Sequence, residues 1–271
     1  MKYAPMRIIT ANARMNPPAR FVIYVAMANA RKIALITGAN RGLGFEMARQ
    51  LGQQGVIVVL AARDPQKGEE AAAQLRNEGL DVQFLQLDVT DRKDRAAAAD
   101  FLEKQFGRLD ILINNAGISA EPLGSGKPST TTDDAIHRTF ETNFFAPVAL
   151  TQALLPLLRK SDAARIVNMS SILGSQTLHA DPKSIIADFK SLSYDASKAA
   201  LNSFTIHLAH ELKDTRIKVN SAHPGWVKTD MGTDAAPMEI PEGAKTGVEL
   251  ALLSGDGPTG GYFHLGKKVP W

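Results

Sequence analysis

Short apolar runs alternate with longer segments of helical periodicity through most of the chain. The predicted strands are 33–37, 56–61, 82–87, 111–113, 166–169, 218–222 and 261–265. The predicted helices are 43–53, 66–77, 92–106, 133–158, 194–213 and 243–253. Continuous apolar runs are typical of parallel strands buried on both faces, because crossover helices cover the sheet. The sequence therefore predicts an α/β fold, a doubly wound (Rossmann-type) parallel sheet of about seven strands with helices on both faces.

No internal repeat or long linker divides the 271 residues, so we expect one globular domain over residues 27–271. Residues 1–26 differ, because they are basic and the first acidic residue is Glu46. Their composition is compatible with a signal peptide or a mitochondrial transit peptide. We favour a disordered or non-native extension, with Met27 as the functional start. No apolar run approaches the length of a membrane span, so no membrane association is expected.

Charge and cysteine content exclude several classes of function. The net charge is +3, and four basic residues lie in the first twenty positions, so the remainder is close to neutral and nucleic acid is not an expected partner. The absence of cysteine excludes disulfides and thiol nucleophiles, and it suits a reducing, cytoplasmic location. His207 and His210, with Glu211, could supply two metal ligands from one helix, but no third lies nearby in sequence. We therefore predict no metal site.

A glycine-rich turn, residues 37–44, joins the first predicted strand to the first predicted helix. Glycine lets backbone amides approach a phosphate, and a helix start supplies free N–H donors. Such a turn can also need glycine for its geometry alone, but its place in an α/β array favours dinucleotide binding. The cofactor-binding residues predicted from this turn are Gly38, Asn40, Arg41, Gly42, Leu43 and Gly44.

The end of the second predicted strand bears on which dinucleotide binds. Asp64 could hold the ribose 2′-hydroxyl of NAD, whereas a 2′-phosphate needs cations. Arg63 precedes Asp64, and Arg41 projects from the glycine turn toward the same corner. Two guanidinium groups suited to phosphate oxygens outweigh one carboxylate. We therefore predict NADPH as the cofactor and favour Asp64 as the cap of the following helix.

The third and fourth predicted strands also end in polar residues. Asp88 could accept a hydrogen bond from adenine or could cap the next helix, and the sequence leaves both open. Asn115 belongs to the run Asn-Asn-Ala-Gly, where amide side chains can bind backbone and cofactor together, although a plain turn is the alternative. The cofactor contacts predicted here are Asp88, Val89, Asn115, Ala116 and Gly117.

Tyr194 and Lys198 lie four residues apart at the start of a helical stretch, which places them on one helix face. A free phenol has a pKa of about 10, and a fixed cation beside it favours the phenolate and lowers that value. The pair therefore suits proton transfer at neutral pH. The same spacing also occurs on solvated helices.

Together these motifs resemble the short-chain dehydrogenase/reductase family. The further matching positions are Asn143, Ser170, Ser171, Pro224, Gly225, Val227 and Thr229. The resemblance spans residues 32–271 and is greatest to the NADPH-dependent carbonyl reductase branch, including the terminal Trp271.

The resemblance implies a catalytic set of Asn143, Ser171, Tyr194 and Lys198. Tyr194 would protonate the carbonyl oxygen during hydride transfer from NADPH. Lys198 would lower the pKa of the phenol and hold the nicotinamide ribose. Ser171 would hydrogen-bond the same carbonyl oxygen; Ser170 is the alternative, but neighbours on a strand face opposite sides, so only one can serve. Asn143 would hold a water that links Lys198 to solvent.

The resemblance also places the cofactor and the substrate beside particular loops. The Val227 backbone would orient the nicotinamide carboxamide. The cofactor-binding residues of the same segment would be Pro224, Gly225, Val227 and Thr229. Residues 172–193 and 230–242 would form substrate loops, and the first is longer than in many members of the family. It could block the helix pairing used for oligomerisation, so either a monomer or a small homo-oligomer is expected.

Two histidines of these segments remain. Among the scattered histidines, His179 is the candidate for contact with the substrate, since it lies in the longer loop. His223 stands where related sequences often have Asn or Cys, and the sequence offers no physical reason for it.

The function expected from the sequence is NADPH-dependent reduction of an aldehyde or ketone, with a small-molecule carbonyl compound as the partner. An NADPH-sensing regulator without turnover is the first alternative. The set of Asn143, Ser171, Tyr194 and Lys198 argues against it, because a sensor needs no proton relay. An NAD-dependent alcohol dehydrogenase is the second alternative.

Overall fold

Strands and helices alternate in the order that the apolar periodicity predicts. The computed structural model describes residues 31–124 and 126–271, so the prediction for residues 1–26 lies outside the described residues. The strands are β1 Ile33–Thr37, β2 Ile57–Ala62, β3 Val82–Gln86, β4 Ile111–Asn114, β5 Arg165–Met169, β6 Lys218–Ala222, β7 Tyr262–His264 and β8 Lys267–Lys268. The α-helices are α1 Gly42–Gln53, α2 Pro65–Asn77, α3 Arg92–Phe106, α4 Asp133–Phe140, α5 Ala146–Leu158, α6 Gln176–Ala180, α7 Leu192–Glu211 and α8 Ile240–Ala251.

The strands form one eight-stranded sheet in the order β3-β2-β1-β4-β5-β6-β7-β8. Strands β1 to β7 pair in parallel, and β8 pairs antiparallel with β7. The predicted doubly wound sheet is therefore confirmed, with β8 as an additional edge strand. The chain order reverses between β1 and β4, and ligands of such sheets bind at this point, beyond the carboxyl ends of the strands.

Two apolar layers cover the sheet, one on each face. Ile33 and Leu35 of β1 pack in one layer, and Ala34 and Ile36 pack in the other. Successive side chains of a strand point to opposite faces, so every position of a doubly covered strand is buried. This burial is why strands β1 and β2 appear as apolar runs in the sequence.

Besides strand β8, the structure contains three elements that were not predicted: a π-helical turn, a 3₁₀ turn and a short α-helix. The predicted helix 133–158 is divided by a π-helical turn at Glu141–Phe145, which carries Asn143. The predicted loop 172–193 contains a 3₁₀ turn at Ile172–Gly174 and the short helix α6. Single π-helical turns occur often at functional sites, because the extra residue changes the direction of the side chains.

Within the described part of the chain, no helix is both long and apolar enough to cross a membrane.

Candidate active site

A cavity of about 1600 Å³ opens at the carboxyl ends of the strands. Its walls come from the glycine turn, the ends of β2 to β5, helix α7 and the segment after β6. The predicted site residues that line it are Gly38, Asn40, Arg41, Gly42, Leu43, Gly44, Arg63, Asp88, Val89, Asn115, Ala116, Gly117, Ser171, Tyr194, Lys198, Pro224, Gly225, Val227 and Thr229. Asn143 is fully buried and lies behind the wall. The structure therefore brings the predicted residues to one site.

Two glycines let the turn after β1 pack against the end of β4. Gly38 has φ +62°, and a β-carbon there would lie 2.9 Å from the Ala116 Cα atom. A β-carbon on Gly44 would lie 2.5 Å from Asn115 Nδ2. That amide nitrogen donates to the Thr37 carbonyl at 2.8 Å, so it holds the turn in place. Larger residues at either glycine would separate the turn from β4.

Helix α1 begins at the floor of the cavity without a side-chain cap. Arg41 is the residue before the helix, it makes no capping hydrogen bond, and the first turn contains no acidic residue. The first N–H groups of a helix have no partner within the helix and carry a partial positive charge. Gly42, Leu43 and Gly44 belong to this turn and line the cavity. The residues present therefore fit the pyrophosphate of a dinucleotide.

Arg63 is exposed at the edge of the cavity, beside the capped helix α2. The Asp64 carboxylate accepts a hydrogen bond from the Lys67 N–H at 3.0 Å, which confirms the capping role predicted for it. Arg63 makes no hydrogen bond or ion pair with another residue in the part of the chain that the structure describes. Arg41 lines the same cavity, but its guanidinium is paired with the Asp230 carboxylate. Arg63 is thus the available cation at this corner.

Asp88 lines the cavity and does not cap helix α3. Its Oδ1 accepts hydrogen bonds from the N–H and the hydroxyl of Thr90, at 2.9 and 2.7 Å. The cap is Asp91, which accepts from the N–H groups of Lys93 and Asp94. The capping alternative for Asp88 is therefore wrong, and the adenine contact stays a prediction.

Helix α7 brings Tyr194 and Lys198 to the cavity. The Lys198 Nζ atom lies 5.5 Å from the centre of the Tyr194 ring and donates to the Met169 carbonyl at 2.8 Å. Ser171 follows β5, lines the same cavity, and interacts with the Tyr194 phenol in the direction that lowers its pKa. Of the two adjacent serines, Ser171 is thus the one that interacts with the phenol, while the Ser170 side chain is buried.

Burial dominates the ionisation of this pair. It raises the pKa of the Tyr194 phenol to about 12; the hydrogen bond with Ser171 opposes this rise and the Asp195 carboxylate adds to it. Burial also lowers the pKa of Lys198 to about 8. Desolvation of the phenolate outweighs the other effects on Tyr194, and the lowering of its pKa by Lys198 stays a prediction. Tyr194 therefore keeps its proton at neutral pH.

Asn143 is held rigidly by its own amide group. Its Nδ2 donates to the Ile118 carbonyl at 2.8 Å and to the Ser197 hydroxyl at 3.0 Å, and its Oδ1 accepts from the Ile118 N–H at 2.8 Å. A β-carbon on Gly117 would lie 3.4 Å from both Asn143 Oδ1 and Lys198 Nζ. The glycine therefore leaves a space that both polar groups border.

His223 supports the segment that carries Ser171, a role that the sequence did not reveal. Its Nδ1 accepts the Ile172 N–H at 3.1 Å. Burial, together with the neighbouring His264, lowers the pKa of His223 to about 3. A neutral ring is what this contact requires, since a protonated Nδ1 could not accept a hydrogen bond.

Two carboxylates hold the start of helix α7, and neither was predicted from the sequence. Glu121 Oε1 accepts hydrogen bonds from the N–H and the hydroxyl of Ser193, each at 2.6 Å. Asp195 Oδ2 accepts from the Ser191 N–H at 2.9 Å. Ser193 and Asp195 flank Tyr194, so these bonds fix the backbone on both sides of the phenol. Glu121 lies 72 residues before Ser193, a separation that no local pattern can bridge.

The longer loop lies against the cavity, but not through its histidine. The residues of this loop that line the cavity include Ile185, Ile186 and Phe189. His179 does not line the cavity: its Nε2 donates to the Leu173 carbonyl at 2.9 Å, and its Nδ1 lies 2.9 Å from Lys190 Nζ. The expectation that His179 contacts the substrate is therefore wrong.

Comparisons with known proteins agree with this geometry. A family profile described as short chain dehydrogenase matches residues 32–240. The chain is 37% identical over 290 residues to (+)-neomenthol dehydrogenase of Arabidopsis thaliana, covering 88% of this chain and 97% of the relative. It is 34% identical to carbonyl reductase (NADPH) 1 of Bos taurus, covering 90% and 100%. The structure of NADPH-bound carbonyl reductase from chicken fatty liver aligns with a TM-score of 0.78 and 30% identity over 89% of this chain and 99% of that chain.

Proposed function

Because the chain belongs to the short-chain dehydrogenase/reductase family, we propose that it reduces an aldehyde or ketone to the alcohol with NADPH and that Tyr194 is the proton donor. It is an oxidoreductase acting on carbonyl or alcohol groups. The observation that carries the proposal is the meeting of Tyr194, Lys198 and Ser171 in the cavity that the glycine turn lines. NADPH, when bound, supplies the hydride.

The proton donor follows from the protonation state of the site. Tyr194 keeps its proton at neutral pH, because burial raises its pKa to about 12. A negative charge developing on the carbonyl oxygen makes that oxygen a stronger acceptor, so the phenol can release its proton to it. The Ser171 hydroxyl would donate to the same oxygen and stabilise the charge before the proton arrives.

Lys198 and Asn143 would replace the proton that Tyr194 gives up. Burial lowers the pKa of Lys198 to about 8, so its ammonium can exchange protons near neutral pH. The space beside Gly117 is bordered by Lys198 Nζ and Asn143 Oδ1, and it suits a water that links the two. Lys198 would also hold the nicotinamide ribose and favour the phenolate that remains after each turnover.

The preference for NADPH rests on Arg63. Its guanidinium lines the cavity and has no ion-pair partner within residues 31–124 and 126–271. A 2′-phosphate would satisfy it, whereas the 2′-hydroxyl of NADH would leave it unpaired. The relative from Bos taurus carries NADPH in its name, which supports the same choice for this chain.

The activity is tested directly by loss of NADPH absorbance with a panel of aldehydes and ketones. Two purified proteins, one starting at Met1 and one at Met27, should both reduce carbonyl compounds, and both should prefer NADPH to NADH. Binding of NADPH without oxidation by any carbonyl compound would instead favour the regulatory alternative. Alcohol oxidation with a preference for NAD+ over NADP+ would favour the NAD-dependent dehydrogenase.

Arg63→Ala tests the cofactor assignment. The substitution should weaken NADPH binding about 10- to 100-fold and leave NADH binding within about twofold, because only NADPH places a phosphate on the guanidinium. Dissociation constants from NAD(P)H fluorescence provide the measurement. Lys67→Ala removes an exposed cation of the same helix start that does not line the cavity, and it should change neither constant. Equal loss of both cofactors in Arg63→Ala would refute the assignment.

A further inference from the structure

The part of the cavity next to Tyr194 has an apolar wall. Leu123, Leu173 and Ile186 pack with Tyr194 in one apolar cluster. Ile185, Phe189 and Trp226 line the same cavity. Ile185 is 90% exposed and Phe189 is 40% exposed, although both are large and apolar. Exposed apolar side chains grouped at the mouth of a concave site are typical of a surface that a ligand covers.

Hydrogen bonds between two loops hold this wall in place. The Gly126 N–H donates to the Lys190 carbonyl at 2.9 Å, and the Gly124 N–H donates to the Ser191 hydroxyl at 2.6 Å. A β-carbon on Gly124 would lie 2.4 Å from the Phe189 ring, so the ring rests directly on the glycine backbone. A wall fixed before binding loses little conformational entropy when a ligand arrives.

The basic residues of the cavity leave no spare cation for an acidic substrate. Three of them are paired with carboxylates: Arg41 with Asp230, Lys228 with Glu239, and Arg138 with Asp134. Among the lysines and arginines that line the cavity in the described ranges, Arg63 and Lys198 remain. The proposed function uses both. A substrate carboxylate would therefore be desolvated beside the apolar wall without a partner.

We propose that the substrate is an uncharged apolar ketone with a bulky ring or branched substituent, and that Phe189 is a specificity-determining residue that packs against this substituent. The inference rests on the proposed carbonyl reduction. Its source is the fixed apolar wall beside Tyr194 together with the pairing of the surrounding cations. Anionic keto acids are excluded by the same features.

Three matched ketones test the substrate class. 4-tert-Butylcyclohexanone carries a bulky apolar group, 4-oxocyclohexanecarboxylate carries an anion at the same ring position, and cyclohexanone carries neither. We expect kcat/KM for the tert-butyl ketone to exceed that for the keto acid by about tenfold or more, because contacts in an apolar pocket differ by that amount. Quenching of Trp226 fluorescence should give the same order of affinity without turnover.

Phe189→Ala tests the specificity residue. The variant should lose about fivefold or more in kcat/KM for the tert-butyl ketone and stay within about twofold for cyclohexanone, since only the larger substrate reaches the ring. NADPH binding should not change. Ile206→Ala is the matched control, because Ile206 is a 41% exposed apolar residue of helix α7 that does not line the cavity.

The outcomes separate the inference from the proposed function. Equal or faster reduction of the keto acid would overturn the inference while supporting carbonyl reduction. In Phe189→Ala, an equal loss of kcat/KM for cyclohexanone and for the tert-butyl ketone would show that Phe189 has a merely structural role. That result would also overturn the inference. Preferential binding of the tert-butyl ketone without turnover would support the apolar site and refute the reductase activity. Absence of both binding and turnover would overturn both.

Discussion

At the scale of single residues, buried polar side chains position the catalytic groups through the backbone. His223 accepts the Ile172 N–H next to Ser171, and Asn143 is bonded to Ile118 and Ser197. Each contact pairs a polar group that burial would otherwise leave without a hydrogen-bond partner. The protein should therefore tolerate replacement of His223 by a residue that places a hydrogen-bond acceptor at the same position.

His223→Asn and His223→Ala distinguish this role from a need for imidazole chemistry. Asn can present an oxygen to the Ile172 N–H, so its kcat should stay within about threefold of the wild-type value. Ala leaves the donor unpaired and a void beside Ser171, and its kcat should fall about tenfold or more. Steady-state assays with one ketone, together with thermal unfolding, provide the measurement. Equal impairment of the two variants would contradict this account.

Asp195 makes stability depend on pH in an unusual direction. The residue is 8% exposed, and burial raises the pKa of its carboxyl from 3.8 to about 6, although the Ser191 N–H and Lys190 oppose the rise. Between these two values the folded protein holds a proton that the unfolded chain has lost. The contribution of Asp195 to the free energy of unfolding therefore falls as pH rises through this window.

Asp195→Asn tests this consequence. Asn removes the buried charge and keeps an oxygen for the Ser191 N–H, so the variant should be more stable by about 1–2 kcal/mol at about pH 7. The gain should shrink at about pH 5, where the folded wild-type carboxyl is mostly protonated. Urea unfolding at both pH values checks this, with Asp162→Asn on the exposed surface as the control. A gain that is the same at both pH values would contradict it.

At the scale of elements, helix α7 depends on a cap from outside its own sequence. Ser191 precedes the helix without a side-chain capping bond, and the Glu121 carboxylate accepts the Ser193 N–H instead. Although burial acts to raise the pKa of Glu121, the hydrogen bonds from Ser193 and Thr131 hold it below its usual value. The loop after β4 therefore fixes the helix that carries Tyr194.

Glu121→Ala should lower the free energy of unfolding by about 1–3 kcal/mol and reduce kcat, because the Ser193 donors lose their acceptor. Glu121→Gln should show a smaller loss in both, since an amide oxygen can still accept. NADPH binding should be retained in both variants. Urea unfolding and steady-state kinetics measure these effects. A kcat unchanged in Glu121→Ala would remove Glu121 from the positioning of Tyr194.

The accuracy of the sequence prediction followed element length and burial. Strand β1 was predicted with its observed bounds, because its five residues are buried on both faces and four of them form an unbroken apolar run. Strand β8 has two exposed residues, which are too few to show a period. The π-helical turn at Glu141–Phe145 was not predicted, because its residues follow the same helical pattern as the α-helices before and after it.

At the scale of the whole molecule, parallel topology explains why the site itself was predictable. The turns after parallel strands meet at one edge, so motifs far apart in sequence, such as residues 37–44 and Tyr194, could be assigned to one crevice. The partners of these residues could not be assigned, because they depend on packing between loops. Arg41 paired with Asp230 is an example, and so is Phe189 resting on Gly124.

Tyr194→Phe tests most directly whether Tyr194 donates the proton in an NADPH-dependent carbonyl reduction. NADPH oxidation with a reducible ketone and NADPH affinity should be measured for this variant and for Tyr262→Phe, which changes a buried tyrosine that does not line the cavity. We expect kcat of Tyr194→Phe to fall about 100-fold or more, while its NADPH affinity stays within about threefold of the wild-type value. The Tyr262→Phe control should differ little from the wild type. Undiminished reduction by Tyr194→Phe would contradict the role of Tyr194 as proton donor.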